Sequence, residues 1–397
     1  MKTDQKKTSR LVEVIIFILF ALGPLTGNVI LVLFGVLSLE FSVVPGSILI
    51  AIPSFMFPFA IVQLFSGAIS DIKGRFPVIL LGLFIFGIGM IVASLSFSLM
   101  AFIIANVLAG IGFGFVNPVL IALLTDIVAG PKISKKIGLL GAVANLGVGF
   151  GPLIAGQIIN LSWRYLYVIF LSITVLGILI VLKLRKSHSI TKSDDGIRTF
   201  FSNIGQEIRH LPVILLVISA FLLSHISIAT IIWTSRSFTH VIAEAIAGII
   251  IAIFGVMGFI GGILTGFMIK KKGVKLTLLI GLITLFIANI ILVFFGNNSV
   301  EAIVFTSLGL VFMGFAGGIL ITLIMFFSQT LSVERRGALA GLTTAFQFIG
   351  IAFVPTTFEP FYNFGGIPLV YLIILIVSVL FLIIILMLYK FAKIKIE

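Results

Sequence analysis

Runs of about twenty or more apolar residues recur twelve times along this chain, separated by short turns that hold nearly all of its charge. A bilayer core needs about 20 apolar residues per helix, so each run is expected to be a spanning helix. The approximate spans are 12–38, 46–70, 77–96, 98–128, 137–160 and 165–184. After a polar stretch come 212–235, 245–269, 276–295, 301–327, 337–356 and 368–390. Composition leaves little alternative, with 60% hydrophobic and 10% charged residues. A soluble domain carries roughly 25% charged residues to cover its core. Lipid is therefore the expected solvent for an all-α membrane protein. The first run, Val12 to about Leu39, is too long for a signal-peptide core and reads as the first span.

The formal net charge of +13 raises nucleic acid as a partner. That reading needs a basic patch on a folded surface, whereas here the basic residues sit between apolar runs, so no nucleic acid is expected. Alternate turns hold 24 of the 26 Lys and Arg, from Lys2 through Lys73, Lys136, Arg185, Lys271 and Arg336 to Lys395. Only Arg164 and Arg236 fall on the other side. By the positive-inside rule both termini are cytoplasmic, and the chain is expected to be a multi-pass plasma-membrane protein. The absence of cysteine excludes disulfides and thiolate metal sites.

The polar segment from Lys183 to Leu211 divides the chain. Residues 1–184 form one predicted six-helix bundle, 185–211 a cytoplasmic central loop and 212–397 a second bundle. Within the loop, 199–210 has the pattern of an amphipathic interfacial helix. The halves echo each other: Gly67 and Gly74 follow the second span, Gly266 and Gly273 the eighth, 199 residues later in each case. The same offset relates Gly110 to Gly309 and Gly138 to Gly337. Parallel six-helix repeats, related by an axis along the membrane normal, are one transporter architecture, with the substrate site between the halves.

The stretch Gly67-Ala-Ile-Ser-Asp71-Ile-Lys-Gly74-Arg75 resembles the loop signature of the major facilitator superfamily, between the second and third helices. Gly74 permits a tight turn, and Arg75 has a natural carboxylate partner in Asp126 at the end of the fourth span. The resemblance implies that this cluster latches the two bundles, with Asp71 facing the start of the eleventh helix while the transporter is open outward. In the fifth span, Gly147-Val-Gly-Phe-Gly151-Pro152-Leu-Ile-Ala-Gly156 is similar to the glycine–proline signature of drug:proton antiporters. The first two spans resemble Bcr/CflA-like exporters through Pro24–Asn28 and Gln63–Gly67. Two departures bear on coupling: Asn28 and Asn106 stand where such exporters carry an acid and an arginine tied to proton movement.

No Asp, Glu, Lys or Arg lies near the middle of any predicted span, which leaves His225 in the seventh. An intramembrane ionisable group is a functional candidate by default, and an imidazole titrates near physiological pH. The alternative is a neutral histidine hydrogen-bonded within the bundle. Asn28, Asn106, Asn117, Asn145, Trp233 and Gln347 are further candidates to line a central cavity or to bond helices together. Such a cavity suits a lipophilic or neutral small molecule. The expected activity is secondary transport, with export of lipophilic compounds by proton antiport as the leading reading. Facilitated or inward transport of a small metabolite is the alternative, and a transporter-like sensor a third. Neither a phosphate-binding loop nor a hydrolase nucleophile turn is present, so an enzyme is not expected. No cofactor or metal is called for, and a monomer in the lipid bilayer is expected.

Overall fold

The computed structural model describes residues 2–128, 132–185, 210–238, 241–297, 299–331 and 336–396. The predicted loop 185–211 and its interfacial helix fall almost wholly outside them. Among the described residues every regular element is helical. In lipid each backbone polar group must be satisfied within its own segment, and a helix does this.

Among the described residues ten apolar segments are long enough to span, and two of these are of double length, at 52 and 54 residues. The first double segment breaks at Gly273 (φ 78°) and the second at Gly366 (φ 66°), so the described residues make twelve crossings. Their boundaries modify the sequence reading. The first crossing continues beyond Asn28 through a 3-10 turn, Val29–Val32, and a helix Phe34–Glu40. The seventh is Leu211–Phe238, which draws Arg236 into the helix rather than the turn after it. The eleventh starts at Arg336 and, after a break at Phe353, runs on to the turn at Gly366, well past the predicted end at 356.

Within each half, glycines let helices meet backbone to backbone, and these meetings reveal the repeat. Gly110 in the fourth span (Leu99–Ile127) sits on the carbonyl of Phe55 in the second (Ala51–Lys73). Gly314 in the tenth (Ala302–Thr330) sits on the carbonyl of Phe254 in the eighth in the same way. Residues 55 and 254 keep the offset of 199, but 110 and 314 differ by 204. The Gly110–Gly309 equivalence is therefore coincidental, since Gly309 abuts Leu292 instead. Five extra residues between Gly273 and Gly314, relative to Gly74 and Gly110, account for the drift. Gly74 (φ 94°) and Gly273 (φ 78°) do correspond. So do Gly151 on the Leu25 carbonyl and Gly350 on the Phe221 carbonyl. Gly138 and Gly337 sit where side-chain surroundings are not described.

The halves touch along two antiparallel helix pairs, the fifth span with the eighth and the second with the eleventh, and where the first meets the seventh. One end of the molecule, the basic face, carries the turns at Gly74 and Gly273. The opposite face carries Glu40, Arg164, Glu244 and Glu301.

Candidate functional site

The surface between the halves is built from small residues on one pair and phenylalanines on the other. In the fifth span (Lys132–Ile158) a stripe at helical spacing runs Gly141, Asn145, Gly149, Pro152, Gly156. A Cβ at Gly149 would stand 2.8 Å from the Ala252 carbonyl oxygen, and one at Gly156 would stand 2.6 Å from that of Glu244. From the eighth span, Gly248 faces the Pro152 carbonyl and Gly255 faces Gly149. Small residues permit this approach, and van der Waals contact between backbones holds it. Gln157 adds a cross-half hydrogen bond, its Nε2 donating to the Ala245 carbonyl at 3.4 Å.

The seam then parts. Asn145 still reaches Gly258 and Gly262, 3.3 and 3.9 Å from their would-be Cβ atoms, but one turn beyond Asn145 and Gly262 neither Gly141 nor Gly266 has a described atom within 4 Å. The other pair behaves alike. Phe57 meets Phe353 edge-on (centroids 5.2 Å apart) and Phe59 meets Phe348 at 4.3 Å. Two turns closer to the basic face, Gly67 and Gly341 have open space. The halves are thus sealed from mid-membrane to the opposite face and separated toward the basic face.

The loop motif lies at the separated end. Gly74, whose φ of 94° excludes most side chains at low cost, ends the second span and starts the third (Arg75–Ser94). Arg75 is the hub: its Nε donates to Asp126 Oδ2 at 2.9 Å, and its Nη1 donates to Ser70 Oγ at 2.7 Å and to Asp71. Residues from the second, third and fourth spans are thereby fastened together. The Asp71 side chain is 42% exposed and the Arg75 side chain 14%.

The fifth-span signature is glycine-rich on two faces. Gly147 and Gly151 fit against Pro24 and the Leu25 carbonyl of the first span, while Gly149 and Gly156 fit against the eighth. Pro152 gives up one backbone bond in between.

Several of the candidate cavity amides turn back on their own helices. Asn28 donates to the Pro24 carbonyl at 2.7 Å, Asn106 to Phe102 at 2.8 Å and Asn145 to Gly141 at 3.3 Å. Asn117 is buried in the fourth span. Gln347 is buried with its Nε2 unpartnered, and so is Gln63 of the second span, which the sequence reading used only as part of a motif. His225 is buried between Phe221 and Phe358, with ring centroids 5.5 and 5.1 Å away. Its Nδ1 lies 2.7 Å from the Gly350 carbonyl, a link from the seventh span to the eleventh. A carbonyl only accepts, so Nδ1 carries the proton and Nε2 is the position that can gain one.

Trp233, fully buried, packs against Tyr362 at 4.9 Å. Between these rings and Glu359 lies Arg236, which the sequence reading left in an external turn. Its guanidinium carbon is 4.9 Å from the Trp233 ring and 4.5 Å from the Tyr362 ring. The spacings Trp233–Arg236 and Glu359–Tyr362 are both i,i+3, which places each pair on one helix face. That pattern was the available signal.

A family model for the Major Facilitator Superfamily matches residues 16–355. Riboflavin transporter RibZ of Clostridioides difficile is 24% identical over 178 residues, 45% of this chain and 39% of that protein. Multidrug resistance protein 3 of Bacillus subtilis is 30% identical over 134 residues, 33% of this chain and 26% of that protein. The chain spans less than half the length of either. The uncharacterized MFS-type transporter YceJ of Bacillus subtilis is 24% identical over 303 residues, 75% and 76% of the two chains. With this match over most of its length, the chain belongs to the Major Facilitator Superfamily.

Proposed function

We propose that this transporter exports small lipophilic compounds in exchange for protons, by alternating access between two bundles, residues 1–184 and 212–397, tethered by the loop 185–211. The observation that carries the reading is the fifth span. Its glycines and Pro152 give it smooth contacts with both the first span of its own half and the eighth span of the other. A helix without protruding side chains on either face can roll between two partners, as rocking bundles require. The multidrug name of one relative agrees with export.

In this reading the basic face is cytoplasmic, the protein is a monomer in the plasma membrane, and the conformation described above faces inward. Swinging the halves together at the basic face brings the Arg75 cluster toward the eleventh span. Asp71, Arg75 and Asp126, with Gly67 and Gly74 shaping the turn, then act as the latch. His225 is the proton carrier: gain of a proton at Nε2 charges a ring enclosed by phenylalanines and bonded across to the eleventh span.

A second reading, a facilitator or importer of a small metabolite, is favoured by two observations. Asn28 and Asn106 are neutral and occupied by their own helices, and one relative is named for riboflavin transport. The test is proton movement in proteoliposomes of purified protein during addition of a panel of lipophilic compounds. Compound-dependent proton flux that is lost in His225→Gln is the expected result. Compound flux with no proton movement overturns antiport in favour of the facilitator.

A further inference from the structure

At the sealed end of the molecule, two neighbouring buried donors find no acceptor among the described residues. Trp233 Nε1 has no acceptor in a side chain that is 0% exposed. Arg236 Nη1 also lacks a hydrogen bond, and the Arg236 side chain is 12% exposed. Its counter-charge is Glu359, whose Oε1 lies 3.7 Å from Nη1, too far for a hydrogen bond. Arg236 lies against both rings of the stacked Trp233–Tyr362 pair, its guanidinium carbon 4.9 and 4.5 Å from their centroids, and its unpaired Nη1 can serve an oxyanion, the group for which guanidinium has a two-pronged geometry. Unmade hydrogen bonds on a buried charge are costly, so an acceptor brought to this edge is strongly favoured.

The position suits a transported ligand. Among the five ion pairs of the described residues, four join elements of the first half. The Arg236–Glu359 pair is in the second half and abuts the first. A Cβ on Gly46, at the start of the second span, would stand 2.6 Å from Glu359 Oε1 and 3.1 Å from Arg236 Nη2. Next to it, Ser235 donates to the Leu31 carbonyl of the first span. The first half therefore lies against the pair: Arg236 is covered and is bared when the halves part at this face, while the Glu359 side chain stays 36% exposed. A groove of about 570 Å³ leads to Glu359 between the second and eleventh spans, with walls that include Leu49, Ile50, Pro53 and Pro355.

We propose that Arg236 is an anion subsite, and that the transporter accepts lipophilic organic carboxylates, which bind by displacing Glu359 from the guanidinium edge. Glu359 is then a built-in substitute for the ligand. It keeps Arg236 neutralised while the face is shut and yields to a carboxylate when it opens. The proposal rests on the reading of this protein as a carrier of small lipophilic compounds and narrows their charge.

The test uses three matched probes, 1-naphthoate, 1-naphthamide and 1-naphthylmethylammonium, with binding to the purified full chain measured by calorimetry at neutral pH. Naphthoate is expected to bind about tenfold or more tightly than the other two, the scale of a charge-assisted hydrogen bond. Arg236→Gln is expected to abolish that preference. Glu359→Gln, which removes the competing carboxylate and keeps the shape, is expected to strengthen naphthoate binding several-fold and leave naphthamide unchanged. Equal binding of all three probes overturns the subsite and leaves lipophilic transport standing. Equal changes for all three probes in both variants overturn it too, because the pair is then only a seal. If none of the three binds, the subsite fails, and the proteoliposome panel decides separately whether the exporter reading fails with it.

Discussion

The two ends of one helix pair differ more than the two halves of the molecule do. Near the opposite face the fifth and eighth spans touch through backbone, Gly149 against Ala252 and Gly156 against Glu244. Toward the basic face the same stripes continue as Gly141 and Gly266 and meet no described atom within 4 Å. The residue type is constant along the stripe while its surroundings reverse. In the proposed alternating-access cycle small residues are needed at both ends, since each face is sealed in turn. One conformation displays the use of only half of them.

That comparison can be broken by placing the same side chain at each end. Gly149→Leu drives a branched side chain into backbone that cannot yield. Thermal unfolding of the purified protein is expected to show a loss of about 1–3 kcal/mol, with transport in proteoliposomes abolished. Gly266→Leu, made in open space, is expected to leave stability within about 0.5 kcal/mol while still cutting transport severely, because the basic face can no longer close. If both variants lower stability alike, the seam does not part where described.

The ion pairs sharpen the contrast between the faces. Arg75→Ala strands Asp71 and Asp126 at the separated end, and a loss of about 1–2 kcal/mol is expected, between the values for exposed and buried pairs. Asp71→Asn keeps Arg75 paired with Asp126, so it is expected to spare stability and shift the inward–outward equilibrium, read by spin-label distances across the basic face. An unchanged equilibrium and rate would remove Asp71 from the latch. Smallest and most symmetric is the turn glycine: Gly74→Ala and Gly273→Ala each force a positive φ on alanine and are expected to cost about 1 kcal/mol apiece.

Much of this was legible in the sequence for physical reasons. Twelve runs and alternating charge follow from the bilayer's thickness and the cost of moving cations across it. Asp126 was identifiable as the partner of Arg75 because both fall at helix ends on one face. Tertiary depth was not legible. Arg236 lies two residues from the end of its helix, and although its i,i+3 spacing from Trp233 was visible, only packing shows that the stacked Trp233–Tyr362 pair lies against it. The hydrogen bond from His225 to Gly350 was equally hidden, because a backbone carbonyl has no sequence signature. The repeat was half visible: identical glycines can align by chance, as Gly110 and Gly309 did, and only the carbonyl beneath each one separates homology from coincidence.

That sliding register has a practical consequence for anyone engineering the molecule. The offset is 196 residues between the first and seventh spans, where Leu25 matches Phe221, 199 between the second and eighth, and 204 between the fourth and tenth. A substitution copied from one half to the other by a single constant therefore lands on the wrong helix face in some spans and the right one in others. Counted span by span, the twin of His225 is Val29, wholly enclosed at the start of a 3-10 turn. Matching positions of the two halves thus hold unlike side chains, one polar and one greasy, and a chimera joining two copies of either half would inherit two of the same kind.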